Sequence, residues 1–217
     1  SRMLELTRNL KDLFQYIINR LFPESTVCIV IVLYLLIKQK SLGITIGITL
    51  LLCAAIQYYS SKTLIEKVKD REDYFNSIVS ENIQDSLDNL MNVYLNNEVE
   101  MQIKKNELLE KESHDKMKRI MSFQNKVVSA SEIVIVIGYG ISLYYIYKLL
   151  TNKSISVAEA IVYILVIGQF VSYMINVNVG LVHNIFYKLG IVDASRDHLQ
   201  SLLDMKSTKT KTDCIHE

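Results

Sequence analysis

ITIGITLLLCAAIQYYSSKTLIEKVKDREDY, residues 44–74, opens as an apolar run and closes as a charged one, with nothing after Gly47 to break it. Its first thirteen residues, ITIGITLLLCAAI, are apolar on nearly every face of a helix. A helix of a soluble bundle keeps a polar stripe, so this one is expected to cross a membrane. From Ile48 to Ile137 the chain contains neither Gly nor Pro. Either residue would soften or kink a helix at a cost of about 1 to 3 kcal/mol, so the apolar helix is expected to continue as a stiff stalk.

Working outward, four apolar stretches form two pairs: residues 21–37, interrupted by Pro23 and Glu24, with 42–59; and 133–150 with 157–186. A crossing helix needs about 20 apolar residues. The shorter stretches continue into helix-compatible sequence away from their loops. Linkers as brief as KQKS and TNKSIS impose antiparallel hairpins. Between the pairs, residues 60–128 read as helix throughout, with an apolar seam at Leu64, Val68, Phe75, Val79, Ile83, Leu87, Leu90 and Tyr94 that should face a partner. A helix from Ser60 to Val93 would reach roughly 50 Å beyond the bilayer at 1.5 Å per residue. The pattern describes an all-α membrane bundle of four very long helices, with short loops on one face and stalks and both termini on the other. Lys62, Lys67, Lys69, Arg71, Lys116, Lys118, Arg119 and Lys126 outnumber Lys38, Lys40, Lys148 and Lys153 near the loops, which places the stalks on the cytoplasmic or matrix side.

Composition agrees with such segregation. Of 217 residues, 50% are hydrophobic and 22% charged, with mean hydropathy +0.19 and net charge +1. That charge leaves no basic footprint for nucleic acid. Cys28 and Cys53 lie in apolar runs and Cys214 near the end, so neither a disulfide framework nor a metal spacing is present. His114, His183, His198 and His216 are scattered, and SRMLELTRNLKDLF lacks the features of a signal peptide. No nucleophile elbow, zinc spacing or glycine-rich phosphate cradle occurs, so catalysis by these residues alone is not expected. Polar groups inside a span are costly, so Gln57, Gln169, Asn176 and Asn178 should face the bundle interior or a wet cavity. Asn176 and Asn178 are two apart and cannot share a helix face, which makes one of them interhelical glue. Tyr139, Tyr144 and Tyr173 either line a path or pack, and Glu132 and Glu159 read as interfacial.

DSLDNLMNVYLNNEVE, residues 85–100, resembles the pattern that follows the fourth membrane helix of ABC exporters, most closely half-transporters of the mitochondrial heavy-metal-tolerance type. Asp85, Ser86, Leu87, Asn89, Val93, Asn96, Asn97 and Glu98 fit it, with one residue fewer between Val93 and Asn96. RNLKDLFQYIINRLFPE (8–24) is similar to that family's third helix. SISVAEAIVYILVIGQF (154–170) resembles the start of its sixth, and VDASRDHLQSLLD (192–204) the exit toward the nucleotide-binding domain.

The resemblance implies that residues 1–204 hold helices three to six of an exporter transmembrane domain, a segment of a longer protein, with 205–217 as linker or tail. It implies alternating access by two such domains, as a homodimer in a lipid membrane. ATP and Mg would be held by an associated nucleotide-binding domain on the same longer chain or a separate subunit, since no G-x-x-x-x-G-K-[ST] loop is present. Tyr94, Asn96, Asn97, Glu98 and Glu100 would form the coupling helix that docks on this motor. Gln57, Lys62, Glu66, Gln169, Asn176 and Asn178 would line the substrate path. The family's thiol exporters carry two basic residues just below the fourth span; these positions fall on Lys62 and Glu66, so one charge is kept and one reversed. The competing expectation is a noncatalytic membrane scaffold whose stalks bind a partner.

Overall fold

The computed structural model of the chain describes residues 2–196, all of whose regular elements are helical. Residues 197–204 of the exit motif, the 205–217 tail, His198, Cys214 and His216 lie outside the described residues. Helix α1 is Arg2–Tyr16, α2 Phe22–Lys38, α3 Lys40–Tyr74, α4 Ser80–Asp88, α5 Leu90–Leu95, α6 Val99–Thr151 and α7 Val157–Gly180. Wider π turns at Ile17–Leu21, Phe75–Val79 and Leu181–Phe186 join α1 to α2, join α3 to α4 and follow α7. The first has a visible cause. Pro23 has no N–H and its ring crowds the carbonyl four residues back, and the helix widens just ahead of it rather than breaking.

Four helices are long and apolar enough to cross a membrane: Thr7–Lys38, Lys40–Asp88, Val99–Thr151 and Val157–Arg196. In their most apolar windows no more than 33% of residues are buried, so the apolar surface mostly faces outward. Ile29, Leu33, Ile37, Leu51, Val136 and Leu165 are all more than half exposed. Water would oppose such a surface and hydrocarbon would not.

The chain divides into two compact units, one of residues 11–63 with 123–186 and one built around residues 64–122. In the first, the more apolar, buried residues recur three or four apart on each long helix. On α3 the inward stripe is Leu42, Ile46, Thr49, Cys53 and Gln57. On α6 it includes Ser131, Ile135, Ser142 and Ile146, and on α7 Ala160, Tyr163, Ile167, Phe170 and Met174. Small and hydroxyl side chains in these stripes let backbones approach closely. Thr49 and Ser142 return their hydroxyls to the carbonyls of Thr45 and Gly138, at 3.0 and 2.8 Å, and so need no partner across the interface. A Cβ on Gly138 would come within 2.9 Å of Thr49 Cγ2, which makes glycine necessary there.

The hairpin loops are shorter than the sequence implies. Gln39 alone, extended at φ −148° and ψ 93°, separates α2 from α3. The chain can reverse so abruptly because Gly43 lies against the α2 backbone: a Cβ there would sit 2.6 Å from Leu36 Cα. At the second loop, Ser154 N–H bonds Leu149 O at 2.9 Å and Lys153 N–H bonds Leu150 O at 3.0 Å, closing α6 with a Schellman cap. Lys153 takes the left-handed conformation, φ 55°, which usually falls to glycine. Ser156 then opens α7 through a capping box. Its Oγ accepts from Glu159 N–H at 3.2 Å, and its own N–H donates to Glu159 Oε2 at 2.7 Å.

In the second unit, Leu64, Val68, Val79, Val93 and Ile120 are buried. Tyr74 on α3 donates its hydroxyl to Glu112 Oε2 on α6 at 2.7 Å. Lys116 Nζ stands 3.7 Å from the centroid of the same ring. Lys69 pairs with Asp193 at 3.4 Å. The expectation of continuous helix over residues 60–128 is corrected here. The helix is broken at Asn89 and again at residues 96–98. The seam is also only partly covered, since Ile83, Leu87, Leu90 and Tyr94 are exposed. Asparagine explains both breaks: its side chain competes for backbone groups and it tolerates left-handed dihedrals.

Candidate functional site

Among the polar residues expected inside the spans, two meet. Gln57 on α3 and Asn178 on α7 are 3% and 1% exposed, and Gln57 Nε2 donates to Asn178 Oδ1 at 3.2 Å. The second proton of the same nitrogen goes to Ser131 Oγ on α6 at 3.3 Å. Ser131 spends its own proton on Val127 O at 3.1 Å, so its oxygen is free to accept. This fixes the orientation of the Gln57 carboxamide, with nitrogen toward Ser131. Cys53 Sγ lies 3.8 Å from Ser131 O, as a weak donor one turn away. Three helices are thereby tied at one level by a small polar knot.

The knot is incompletely satisfied. Gln57 Oε1 and Asn178 Nδ2 are buried and have no hydrogen-bond partner. Each such group costs about 1 to 3 kcal/mol where neither water nor protein meets it. Beside them lies a cavity of about 210 Å³, lined by both amides and by Ser25, Cys28, Ala54 and Met174 among others. Its remaining walls are aliphatic, so it is an almost wholly apolar volume, and neither unpartnered amide atom is accessible from it.

The other expected path residues are placed differently. Asn176 is half-buried. Gln169 is exposed: Ile167 and Phe170 occupy the buried stripe of α7, and Gln169 falls about 100° from Phe170 around the axis. Lys62 and Glu66 are exposed on α3, four residues apart. Tyr139 and Tyr173 are half-buried and Tyr144 is exposed, while Glu132 is half-buried. Ser131 was not singled out by sequence, because a lone serine in an apolar helix carries no signal of what it faces.

The second candidate site is the turn between α5 and α6. Glu98 N–H bonds Val93 O at 2.9 Å and Asn97 N–H bonds Tyr94 O at 3.2 Å. This is again a Schellman cap, with Asn97 at φ 56° where glycine is usual. At the end of α4, Asn89 is not left-handed, and its side chain instead donates Nδ2 to Asp85 O at 3.1 Å. Across the turn, Ser86 Oγ stands 3.4 Å from Gln102 Oε1. Asn96, Asn97 and Glu100 are exposed and Glu98 is half-buried. Leu87, Met91, Tyr94 and Leu95 are 63 to 74% exposed, so the tip presents apolar side chains among short polar ones.

Nearby, the carboxylate of Glu112 holds the Tyr74 phenol above its ordinary range, since the phenol donates to it and an adjacent negative charge opposes ionisation. Burial, with the Glu72 carboxylate adding to it, also pushes the Tyr187 phenol up. Among the described residues no group of three His, Cys, Asp or Glu side chains could hold a metal ion. Compared with models of known protein families and with curated proteins, the chain matches none.

Proposed function

We propose that this chain is the transmembrane domain of an ATP-driven ABC exporter, contributing helices three to six of that fold to a dimer of such domains. It forms part of the substrate path and passes the work of ATP hydrolysis, done with Mg in an associated nucleotide-binding domain, into alternating access. The stalks lie on the cytoplasmic or matrix side, and the turn with its coupling residues Tyr94, Asn96, Asn97, Glu98 and Glu100 meets the motor.

The observation that carries this reading is the hairpin of two helices, Lys40–Asp88 and Val99–Thr151, of 49 and 53 residues. A bilayer needs about 20 residues per crossing, so over half of each helix has another task. Their meeting point carries exposed apolar residues at the stretch that resembles the exporter pattern. A long helical hairpin with an exposed apolar end suits transmission of motion.

The test replaces Asn96, Asn97 and Glu98 together with Ala in the native complex reconstituted in liposomes. Uptake of substrate per ATP hydrolysed is expected to fall while hydrolysis persists. If no ATP hydrolysis accompanies the chain in any native complex, the exporter reading fails and a membrane scaffold takes its place.

A further inference from the structure

On the side of α7 away from the core lies a second stripe. Val162, Leu165, Gln169, Ser172, Asn176 and Val179 recur at alternating spacings of three and four residues. They lie about 180° round the helix from the buried Tyr163, Ile167, Phe170 and Met174. Val162, Leu165 and Val179 are 46, 68 and 36% exposed, Gln169 and Ser172 are exposed, and Asn176 is half-buried. A repeat of 3.5 residues on an open face marks a helix that pairs with another along a left-handed seam. The middle of this seam is polar where lipid opposes it. Gln169 sits about 18 Å along the axis from Val157, where α7 begins, and so near the middle of a hydrocarbon core of about 30 Å. The side chains of Gln169, Ser172 and Asn176 hydrogen-bond to nothing among the described residues. Bare amides in hydrocarbon are costly, so the seam calls for a partner that brings donors and acceptors. Gly168 is a second sign. A Cβ there would meet nothing within 4 Å, so the packing of this chain does not require glycine, whereas a bare backbone beside Gln169 lets another helix come close.

We infer that this face of α7 pairs with the same face of α7 in a second copy of the chain. A two-fold axis in the membrane plane would invert one copy, so two copies of the same topology are related by an axis along the membrane normal. That sets the two α7 helices parallel, and in a parallel pair each seam residue meets itself. The polar members suit such a meeting. A carboxamide carries donors and an acceptor, and a hydroxyl carries both, so Gln169, Ser172 and Asn176 can each satisfy their own counterparts. None of the six side chains is charged, so like meets like without repulsion. Val162 and Leu165 toward the loop and Val179 toward the stalk close the seam with apolar layers. The pairing rests on the proposed dimer in naming its contact, but it needs no nucleotide.

The test is disulfide crosslinking of the full chain in its native membranes, without added nucleotide. Single cysteines are introduced into a Cys214→Ser parent, in which Cys28 and Cys53 are buried, and are oxidised with copper phenanthroline. Adducts of two copies are expected from Leu165→Cys, Gln169→Cys and Ser172→Cys. None is expected from Ile164→Cys, Leu51→Cys or Val136→Cys, which replace residues exposed elsewhere on the surface. In detergent micelles, Gln169→Leu should weaken dimerisation about five- to tenfold through loss of two reciprocal bonds, and Gln169→Asn should keep most of it. Adducts that ignore the three-four spacing, adducts only with a different protein, or a dimer unchanged in Gln169→Leu would overturn the pairing. Absence of adducts beside intact ATP-coupled transport sinks this inference alone, whereas seam adducts in a complex without ATP hydrolysis sink the exporter reading alone.

Discussion

Replacing Gln57 and Asn178 by Leu, singly and together, should give strongly non-additive changes in stability. In the native knot Gln57 Nε2 makes two interhelical bonds, at 3.2 and 3.3 Å, and two other amide atoms are already unpartnered. Gln57→Leu removes both bonds and one unpartnered atom, but leaves the whole Asn178 carboxamide buried and alone. Interhelical hydrogen bonds in membranes average about 0.6 kcal/mol, and the cost of newly orphaning Asn178 Oδ1, about 1 to 3 kcal/mol, is offset by removing the orphan Oε1, so the loss is about 1 kcal/mol. Asn178→Leu removes one bond and the unpartnered Nδ2, and orphans one N–H of Gln57, for about 1 kcal/mol. In the double variant no orphan remains. Ser131 keeps its own bond to Val127 O, and two leucines of similar volume fill the space. Two lost bonds cost about 1 kcal/mol and two relieved orphans return about 2 to 6 kcal/mol, so the double variant should be about 1 to 5 kcal/mol more stable than the native chain, a coupling of about 3 to 7 kcal/mol. Reversible unfolding in lipid–detergent micelles, followed by far-ultraviolet circular dichroism, measures all four corners of the cycle. A double variant whose loss equals the sum of the singles would refute the shared bond and with it the polar knot.

Other consequences are independent of the knot. Gly43→Ala should cost about 1 to 3 kcal/mol in the same unfolding assay, because its Cβ meets the Leu36 backbone, which cannot rotate away. Lys153→Gly should stabilise by about 1 kcal/mol by relieving a left-handed lysine, whereas Asn97→Val at the other cap should destabilise by about 1 to 2 kcal/mol. The Tyr74 phenol is raised, so its bond to Glu112 is complete below the ordinary tyrosine pKa and is lost as pH rises through the higher folded value. An alkaline titration of phenolate absorbance should lose one of its late-ionising tyrosines in Tyr74→Phe.

Much of the architecture is legible in the residues because hydrophobic length and the absence of breakers are one-dimensional properties. The apolar stretches at 133–150 and 157–186 fall inside helices Val99–Thr151 and Val157–Arg196, and the reversals come at Gln39 and near residues 152–156. Facing is harder to read. Helices apolar on nearly all sides do not announce their inward stripe, so the sequence does not separate Gln57 and Asn178, which meet, from Gln169, which is exposed. The breaks at Asn89 and Asn97 escape a search for Gly and Pro, since the first carries an asparagine side-chain bond to Asp85 O and the second a left-handed asparagine. The cavity could not be read at all, because it depends on how side chains from three helices fail to fill one space.

The central claim is that the tip of the long hairpin engages an ATP-hydrolysing motor. A photo-crosslinking amino acid placed at Tyr94, 64% exposed at that tip, tests it most directly in cells that make the native complex. The account expects a specific adduct with a domain that binds and hydrolyses ATP, reduced when Asn96, Asn97 and Glu98 are changed to Ala. An adduct only with a partner that lacks ATPase activity, or none above background, would contradict it.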